Sequence, residues 1–559
     1  MKKNILVCSL IVWVVSCTNN SHQVHDPYFV GRPPQNAYTG LVKINDSDIR
    51  HYGKDCYIIS KDGGLSWQTV PVEDGNLYGK QSQVTGEFCR VFSVGNDAVY
   101  VIRSIGGIDG EWVKEQIDTN GAIMIKPVVY IQNGSRAIAA FHTKYRNGCG
   151  TYYSDDNCKT WKKSNQVNAP NHKVGGLHRG ERWNHGAVEP SVVELQNGNL
   201  WMLMRTAQDM HYESFSTNGG ETWSEPKPSR FYGTITMPTI QRLSDGRILF
   251  LWCNTTPLPE VKHPDSYWED VFTNRDAIHA AISDDDGKNW QGFRELYLNP
   301  LRNDSLMATR FGKMGSNDRS VHQSEFVETG DGEILVSLGQ HPEFRSLIKF
   351  NPEWLYEKER TDEFSDGLSN WSCQKYIKGI EGHCAYNRIP GAFVVQHPDK
   401  PGKNVMHLKA DYDSTLLAQS SGAVFNFPAG ENGELKFNVK FTKGFEGMTI
   451  SLHDRWFNPS DSTAKKFSMF NFDIPANLSF GKTSNLGTSD WHDFKLKWRK
   501  SDDLKSGYCN VYIDGKKQDN RIPLNCETIN GISYINFFLS LKNSSNSGVF
   551  IESIYAKVK

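Results

Sequence analysis

"SKDGGLSW" at residues 60–67 returns as "SDDNCKTW" (154–161), "STNGGETW" (216–223) and "SDDDGKNW" (283–290). Each copy reads roughly Ser-x-Asp/Asn-x-Gly-x-Ser/Thr/Asn-Trp. Cys158 replaces the Gly in the second copy and Asn218 replaces the Asp in the third. Asp and Asn turn a chain by bonding to nearby backbone, and Gly by accepting positive φ. A strand-like run precedes each phrase ("DCYIIS", "GTYYS", "HYESFS", "AIHAAIS"), and a Trp and a further extended stretch follow it. The phrase therefore reads as a hairpin turn with the Trp as its packing peg.

The first residues of the copies are 94, 62 and 67 apart, the spacing of a repeat architecture. A four-stranded propeller blade takes roughly 40–50 residues plus loops, so residues 27–358 have room for six. Blades without the phrase still show turn-then-apolar-strand signals: "QNGNLWMLM" (196–204), "LSDGRILFLW" (243–252) and "GDGEILVSL" (330–338). No long helical periodicity interrupts them. After "FNPEWLYEKERTDEF" (350–364) the phrases stop. Short runs such as "GELKFNVKF", "MTISLHD", "DFKLKW" and "INFFLSL" then predict an antiparallel β-sandwich, or jelly roll, over 359–559. The fold class expected is all-β, a six-bladed propeller followed by a sandwich.

Of the 559 residues 38% are hydrophobic, enough for full cores, and 12% are aromatic, which suits β cores or sugar-stacking surfaces. The net charge is −1 with no basic run, which excludes a nucleic-acid partner. "MKKNILVCSLIVWVVSC" (1–17) has two Lys, a short apolar run and a small residue before Cys17, the pattern of a lipoprotein signal. Lipidation of Cys17 would tie the protein to a bacterial envelope, with Thr18 favouring the outer membrane, facing periplasm or cell surface. An ordinary signal peptide cut nearby is the alternative. Nine cysteines remain once Cys8 is removed and Cys17 lipidated. Cys149 with Cys158, Cys373 with Cys384 and Cys509 with Cys526 are possible local disulfides. No metal-type cysteine spacing is present, and neither a metal nor an organic cofactor is implied.

The repeated phrases are Asp boxes, and residues 27–358 resemble the sialidase (neuraminidase) superfamily of six-bladed propellers. "EFSDGLSNW" and the "VYIDG" hairpin give 359–559 a resemblance to concanavalin and laminin-G-type jelly rolls. In the first resemblance the Glu-Pro of "HGAVEPSVVELQNGNLWMLMRT" (185–206) starts one strand and an Arg ends the next. This implies Glu189 as base or nucleophile activator and Arg205 as a clamp on a substrate carboxylate, since guanidinium forks pair bidentately with one. Arg275, one strand before the fourth Asp box, is implied as a second clamp. The usual Phe-Arg-Ile-Pro motif is missing, and Arg32 in "FVGRPPQNAYTGLVKI" (29–44) is the substitute. The acid/base Asp is sought among Asp46, Asp48 and Asp55, with Asp48 in the expected set. Sialidases use a Tyr nucleophile, because a sialoside's own carboxylate repels an anionic one. No Tyr occurs between Tyr297 and Tyr356, and His322 or Gln323 stands at that place. The loop "GGLHRGERWNHGAVEP" (175–190) supplies Arg182, Trp183 and His185 as a substrate wall.

The leading expectation is a lipid-anchored, exo-acting glycoside hydrolase that trims terminal acidic sugars, sialic acid first, from glycans. The missing Tyr keeps open a propeller enzyme acting on uronic-acid-containing polysaccharide, by hydrolysis or elimination. A non-catalytic glycan-binding lipoprotein is the third expectation. "HDRWFNPSD" (453–461) is read either as a sugar contact or as packing against the propeller.

Overall fold

A computed structural model describes residues 25–559 apart from 36, 38, 96–97, 120, 124, 174–184, 257–274, 304–319, 341–343, 377–387, 411–419, 481–483, 501–505 and 541–546. The signal segment, Cys17, Arg182 and Trp183 lie outside the described residues. The chain is all-β, as expected.

Six antiparallel sheets form in sequence order. Blade 1 is Leu41–Lys43, Ile49–Tyr52, Cys56–Ser60 and Gln68–Pro71. Blade 2 is Lys80–Gln81, Phe88–Val94, Ala98–Ile105 and Glu111–Asp118. Blade 3 has a broken first strand (Ala122–Ile123, then Val129–Ile131), followed by Arg136–Thr143, Cys149–Ser154 and Lys162–Lys163. Blade 4 is Val188–Glu194, Leu200–Arg205, Met210–Ser216 and Lys227–Tyr232. Blade 5 is Thr239–Arg242, Ile248–Trp252, Ala277–Ser283 and Gln291–Leu298. Blade 6 is Glu325–Glu328, Ile334–Leu338 and Ser346–Phe350, with Tyr28–Gly31 from the other end of the chain as its outer strand.

The blades are stitched by apolar seams between neighbours. Val42 and Tyr52 meet Tyr78 and Phe88. Val91 and Val101 meet Ala139 and Phe141, and Ile138 meets Val192 and Met202. Leu203 meets Ile240 and Phe250, Leu251 meets Phe326 and Val336, and Leu335 and Leu347 return to Leu41 and Ile49 of blade 1. Residues alternate along each strand between the two flanking seams, as period-two side chains must.

All four Asp boxes share one geometry. Ser60 Oγ donates to Asp62 at 2.7 Å and accepts from Gly64 N–H at 2.7 Å, while Asp62 also accepts from Ser66 N–H at 2.9 Å. Ser154–Asp156, Ser216–Asn218 and Ser283–Asp285 repeat the serine-to-acid (or amide) bond. The fifth position is left-handed in every copy, with φ of 93°, 64°, 87° and 82° at Gly64, Cys158, Gly220 and Gly287. Cys158 thus occupies a glycine conformation. Its thiol packs in one buried cluster with Cys89 of blade 2, and Tyr130 Oη lies 3.7 Å from its sulfur. Cys149 and Cys158 are not joined. The expected local pair is replaced by a contact between blades, because the Asp-box turn aims Cys158 into the seam of blades 2 and 3.

Among the described residues of 359–558, a nine-stranded and a five-stranded antiparallel sheet face one core of Trp371, Phe425, Phe437, Leu496, Ile535 and Ile551. This sandwich is fastened to the propeller by buried polar groups. Asn426 accepts from Glu295 N–H at 3.0 Å and donates to Phe293 O and Ser533 O at 3.1 Å each. The "HDRWFNPSD" segment packs on the propeller. Trp456 is fully buried with its N–H on Asn254 O at 3.0 Å, and the Arg455 guanidinium lies 3.7 Å from the Tyr232 ring centroid.

The Asp-box carboxylates are tuned by this geometry. The Ser66 hydroxyl, with backbone amides, holds Asp62 at about 2. In Asp156 and Asp285 burial opposes ionisation and is outweighed by bonds from Thr160 and Asn289. A depressed folded pKa contributes stability that is present above the unfolded value and lost as pH falls through the folded one. Melting temperature is therefore expected to fall between pH 4 and about pH 2. Asp62→Asn should show a shallower fall in a pH series of thermal melts; a slope equal to the parent's would remove Asp62 from the linkage.

Candidate active site

Strand direction sorts every loop to one of two ends. First strands lie side by side between blades 3 and 4, 4 and 5, and 6 and 1, which marks the first strand as the inner one. The chain descends the first strand, climbs the second, descends the third and climbs the outer one. All Asp boxes then fall at the end where third strands finish. All crossings from an outer strand to the next inner strand, and all turns between second and third strands, fall at the opposite end.

Glu189 opens the inner strand of blade 4 and Arg205 closes the second strand, both at the crossing end. The register between these strands shifts between Val188 and Ser191, a bulge at the Glu-Pro step. Pro190 has no N–H for the ladder, so the strand breaks there and re-aims the preceding side chain. Glu189 pays with a left-handed φ of 48°, a conformation that costs a non-glycine residue about 1–3 kcal/mol. Its carboxylate accepts from Arg205 Nη1 at 3.0 Å, and its N–H donates to His142 Nδ1 at 3.1 Å. Both side chains are buried. Burial works to raise the Glu189 pKa, but the charges of Arg205, Lys126, His142 and His322 outweigh it and hold the group far below the usual carboxylate range.

His322 sits on the crossing into blade 6, within electrostatic reach of Glu189. Ser320 Oγ donates to Gln340 Oε1 at 2.9 Å and lies 2.8 Å from His322 Nδ1. With the hydroxyl proton directed to Gln340, Nδ1 is the donor, which leaves Nε2 as the basic nitrogen. Arg275 is buried in the loop before the third strand of blade 5. It donates to Ile235 O, and its own carbonyl accepts from Val321 N–H at 2.7 Å. His185 donates from Nδ1 to Gly186 O at 2.7 Å; burial, then Arg205, lowers its pKa to about 3, so it is neutral. Gln323 (φ 70°) and Ile235 (φ 55°) share the left-handed strain of Glu189 at this end.

Two expectations change. Asp48 lies in the turn between the first and second strands of blade 1, at the Asp-box end, where it pairs with Arg50 at 3.2 Å and Lys61 at 2.8 Å. The hairpin leaves the inner strand at its far end, so Asp48 is separated from Glu189 by the length of a blade. Asp46 lies in the same turn, paired with Lys43. Asp55, on the turn between second and third strands, stands at the crossing end. Arg32 is exposed at the outer edge of blade 6, with Nη1 on Arg345 O at 3.3 Å, and it does not join the group around Glu189.

Four residues at this end were not legible beforehand. Lys126 and His142, from blade 3, both act on Glu189. Glu325, opening the inner strand of blade 6, accepts from Gly40 and Leu41 N–H at 3.0 Å each. Arg345 is buried and donates to Ser337 Oγ at 3.0 Å. One signal would have found Lys126: Lys126-Pro127, Glu189-Pro190 and Met237-Pro238 repeat an X-Pro step at three successive inner strands.

Truncating Arg205 would leave a buried carboxylate without its partner, which costs about 3–5 kcal/mol. Arg205→Met is expected to lose that much in denaturant unfolding, and adding Glu189→Gln should recover part of it; purely additive losses would count against the coupling.

Residues 173–336 match the family model described as a BNR repeat-like domain. No curated protein matches the chain. Among solved structures, Trypanosoma rangeli sialidase in complex with sialic acid aligns over 96% of this chain and 91% of its own, at 12% identity and a TM-score of 0.32. A protein of unknown function from Dyadobacter fermentans aligns over 58% of this chain and 95% of its own, at 18% identity and a TM-score of 0.36. With TM-scores this low, neither likeness bears on what the chain does. The BNR match spans blades 4 and 5 and the start of blade 6, where two of the four Asp boxes lie. Together with those boxes it gives this chain a BNR repeat-like domain that carries Asp boxes.

Proposed function

We propose that the chain is an exo-acting glycoside hydrolase that removes terminal acidic sugars from glycans. The observation that carries this reading is the buried, ionised Glu189, paired with Arg205 and ringed by Lys126, His142 and His322. Such a site attracts an anion and keeps one carboxylate charged beside an imidazole. In this reading Arg205 and Arg275 hold the sugar's carboxylate. His322 Nε2 takes the proton of the attacking water, and the charge of Glu189 stabilises the imidazolium that forms. A neutral imidazole avoids the repulsion that an anionic nucleophile meets at a carbon bearing a carboxylate. Of the three acids weighed, we take Asp55 as the one that protonates the leaving oxygen, because its turn belongs to the crossing end. Sialic acid is the first substrate. His322 at the Tyr position favours uronic-acid-containing glycans as the second reading.

Release of free sugar from a sialoside and from a uronic-acid-containing oligosaccharide tests both. Glu189→Gln is expected to lower kcat/KM by about 10²–10⁴-fold, and His322→Phe by a comparable factor. Unchanged turnover in either variant would take that residue out of the mechanism.

We also propose that Cys17 is lipidated and holds the enzyme on the cell envelope, on the strength of the apolar run and small residue before it. Cys17→Ala should move the protein from the membrane to the soluble fraction and abolish labelling by a fatty-acid tracer. Labelling that persists would refute the anchor.

A further inference from the structure

The inner strand of blade 3 is broken between Ile123 and Val129. Pro127 cannot donate to the ladder there, while Lys126 N–H stays bonded to Ala140 O at 2.8 Å. The side chain of Lys126 is felt by Glu189 and Arg205 of blade 4 and by Glu325 of blade 6, and its ammonium donates to Met237 Sδ at the start of blade 5. A group in blade 3 that meets three other blades lies at the axis where the inner strands converge. Burial lowers its pKa, yet the residue keeps some surface open to solvent.

This ammonium is under-served. It has three N–H donors, and a thioether is a weak acceptor. Among the described residues Met237 is its one hydrogen-bond partner, and it forms an ion pair with neither nearby carboxylate. Those carboxylates are already committed: Glu189 to Arg205, and Glu325 to the amides of Gly40 and Leu41. Lys80, on the inner strand of blade 2, adds another enclosed amine beside Glu325. Among the described residues, Glu325 thus has two enclosed amines, Lys80 and Lys126, in electrostatic reach, and neither forms an ion pair with it.

We propose that Lys126 is a specificity-determining residue whose ammonium takes the carboxylate of the acidic sugar, in the role that Arg32 was expected to fill. This rests on the reading of the site as one for acidic sugars. It does not require that the sugar be cleaved.

The test is calorimetric binding to the mature protein from residue 18. The probes are free N-acetylneuraminic acid and glucuronic acid, each beside its methyl ester. The parent should bind at least one acid about ten-fold or more tighter than its ester, the scale of one charge-assisted hydrogen bond. Lys126→Met, which fits against Met237 without the charge, should bring that ratio close to one while leaving ester affinity alone. Lys126→Arg should keep most of it. Melting curves for each variant separate loss of fold from loss of preference. An acid preference that survives in Lys126→Met overturns the proposal, and so does a parent that fails to prefer either acid. Lys126-dependent acid binding with no sugar release in any assay would leave this inference standing and sink the hydrolase reading. Sugar release with a KM indifferent to Lys126→Met would do the opposite.

Discussion

Each blade is four strands laid antiparallel from axis to rim, and that constraint governs the rest of the molecule. An even number of strands returns the chain to the end at which it began, so every crossing to the next blade is made at one end. The hairpins at the other end are free to be short and self-contained, and four of them are Asp boxes. Their defining hydrogen bonds stay within the turn, as in Ser60, Asp62 and Ser66, and a few more reach the neighbouring blade, as from Thr151 Oγ1 to Gly220 O. The crossings have a longer path and converge on the axis, so their side chains meet those of other blades. Glu189, His322, Arg275 and Lys126 come from three different blades and a crossing, and none needs the others in sequence to reach them.

The convergence has an energetic consequence. Burial alone would push Glu189 toward its neutral form, yet it is held ionised because cations from blades 3 and 4 and the imidazole on the way into blade 6 all face it. Buried charges of this kind are poor sources of stability. The same end also carries left-handed backbone at Glu189, Ile235 and Gln323. Left-handed non-glycine backbone also occurs at the Asp-box end, at Cys158 and Asp286, so what sets the crossing end apart is the group of charges that several blades bring around Glu189.

What the sequence made legible follows from the same division. The defining bonds of an Asp box are local: those of Ser60, Asp62, Gly64 and Ser66 run within five residues, so turn chemistry alone exposes the phrase and the blade count follows from its spacing. The Glu189–Arg205 pair was legible because two strands and one turn separate its members. Lys126 and Glu325 were not, since their partners lie 63 or more residues away from Lys126 and 284 or more from Glu325. Asp48 went wrong for a related reason. Proximity to the first inner strand was correct, but the hairpin puts it at the strand's far end, where Arg50 and Lys61 neutralise it. A local disulfide between Cys149 and Cys158 was one possibility, whereas the left-handed turn sends the Cys158 thiol into the seam beside Cys89.

The sandwich enters this picture through blade 5. Asn254 and Thr255 end the climb of its second strand and begin the loop that leads to Arg275. Asn254 Nδ2 donates to Asp454 O at 3.0 Å, and its carbonyl accepts from Trp456 N–H. A parallel bridge joins Thr255 to Trp456. On the third strand of the same blade His279 bonds to Tyr534, whose hydroxyl donates to Glu295 at 2.8 Å. Every one of these groups is buried, so separating the domains would strand several polar atoms at once, each at about 1–3 kcal/mol. Of the two readings of "HDRWFNPSD", sugar contact or packing against the propeller, the structure shows the packing: the segment holds the strand end at Asn254 and Thr255. The sandwich is thereby fixed to the crossing end of blade 5, the end that also carries Arg275.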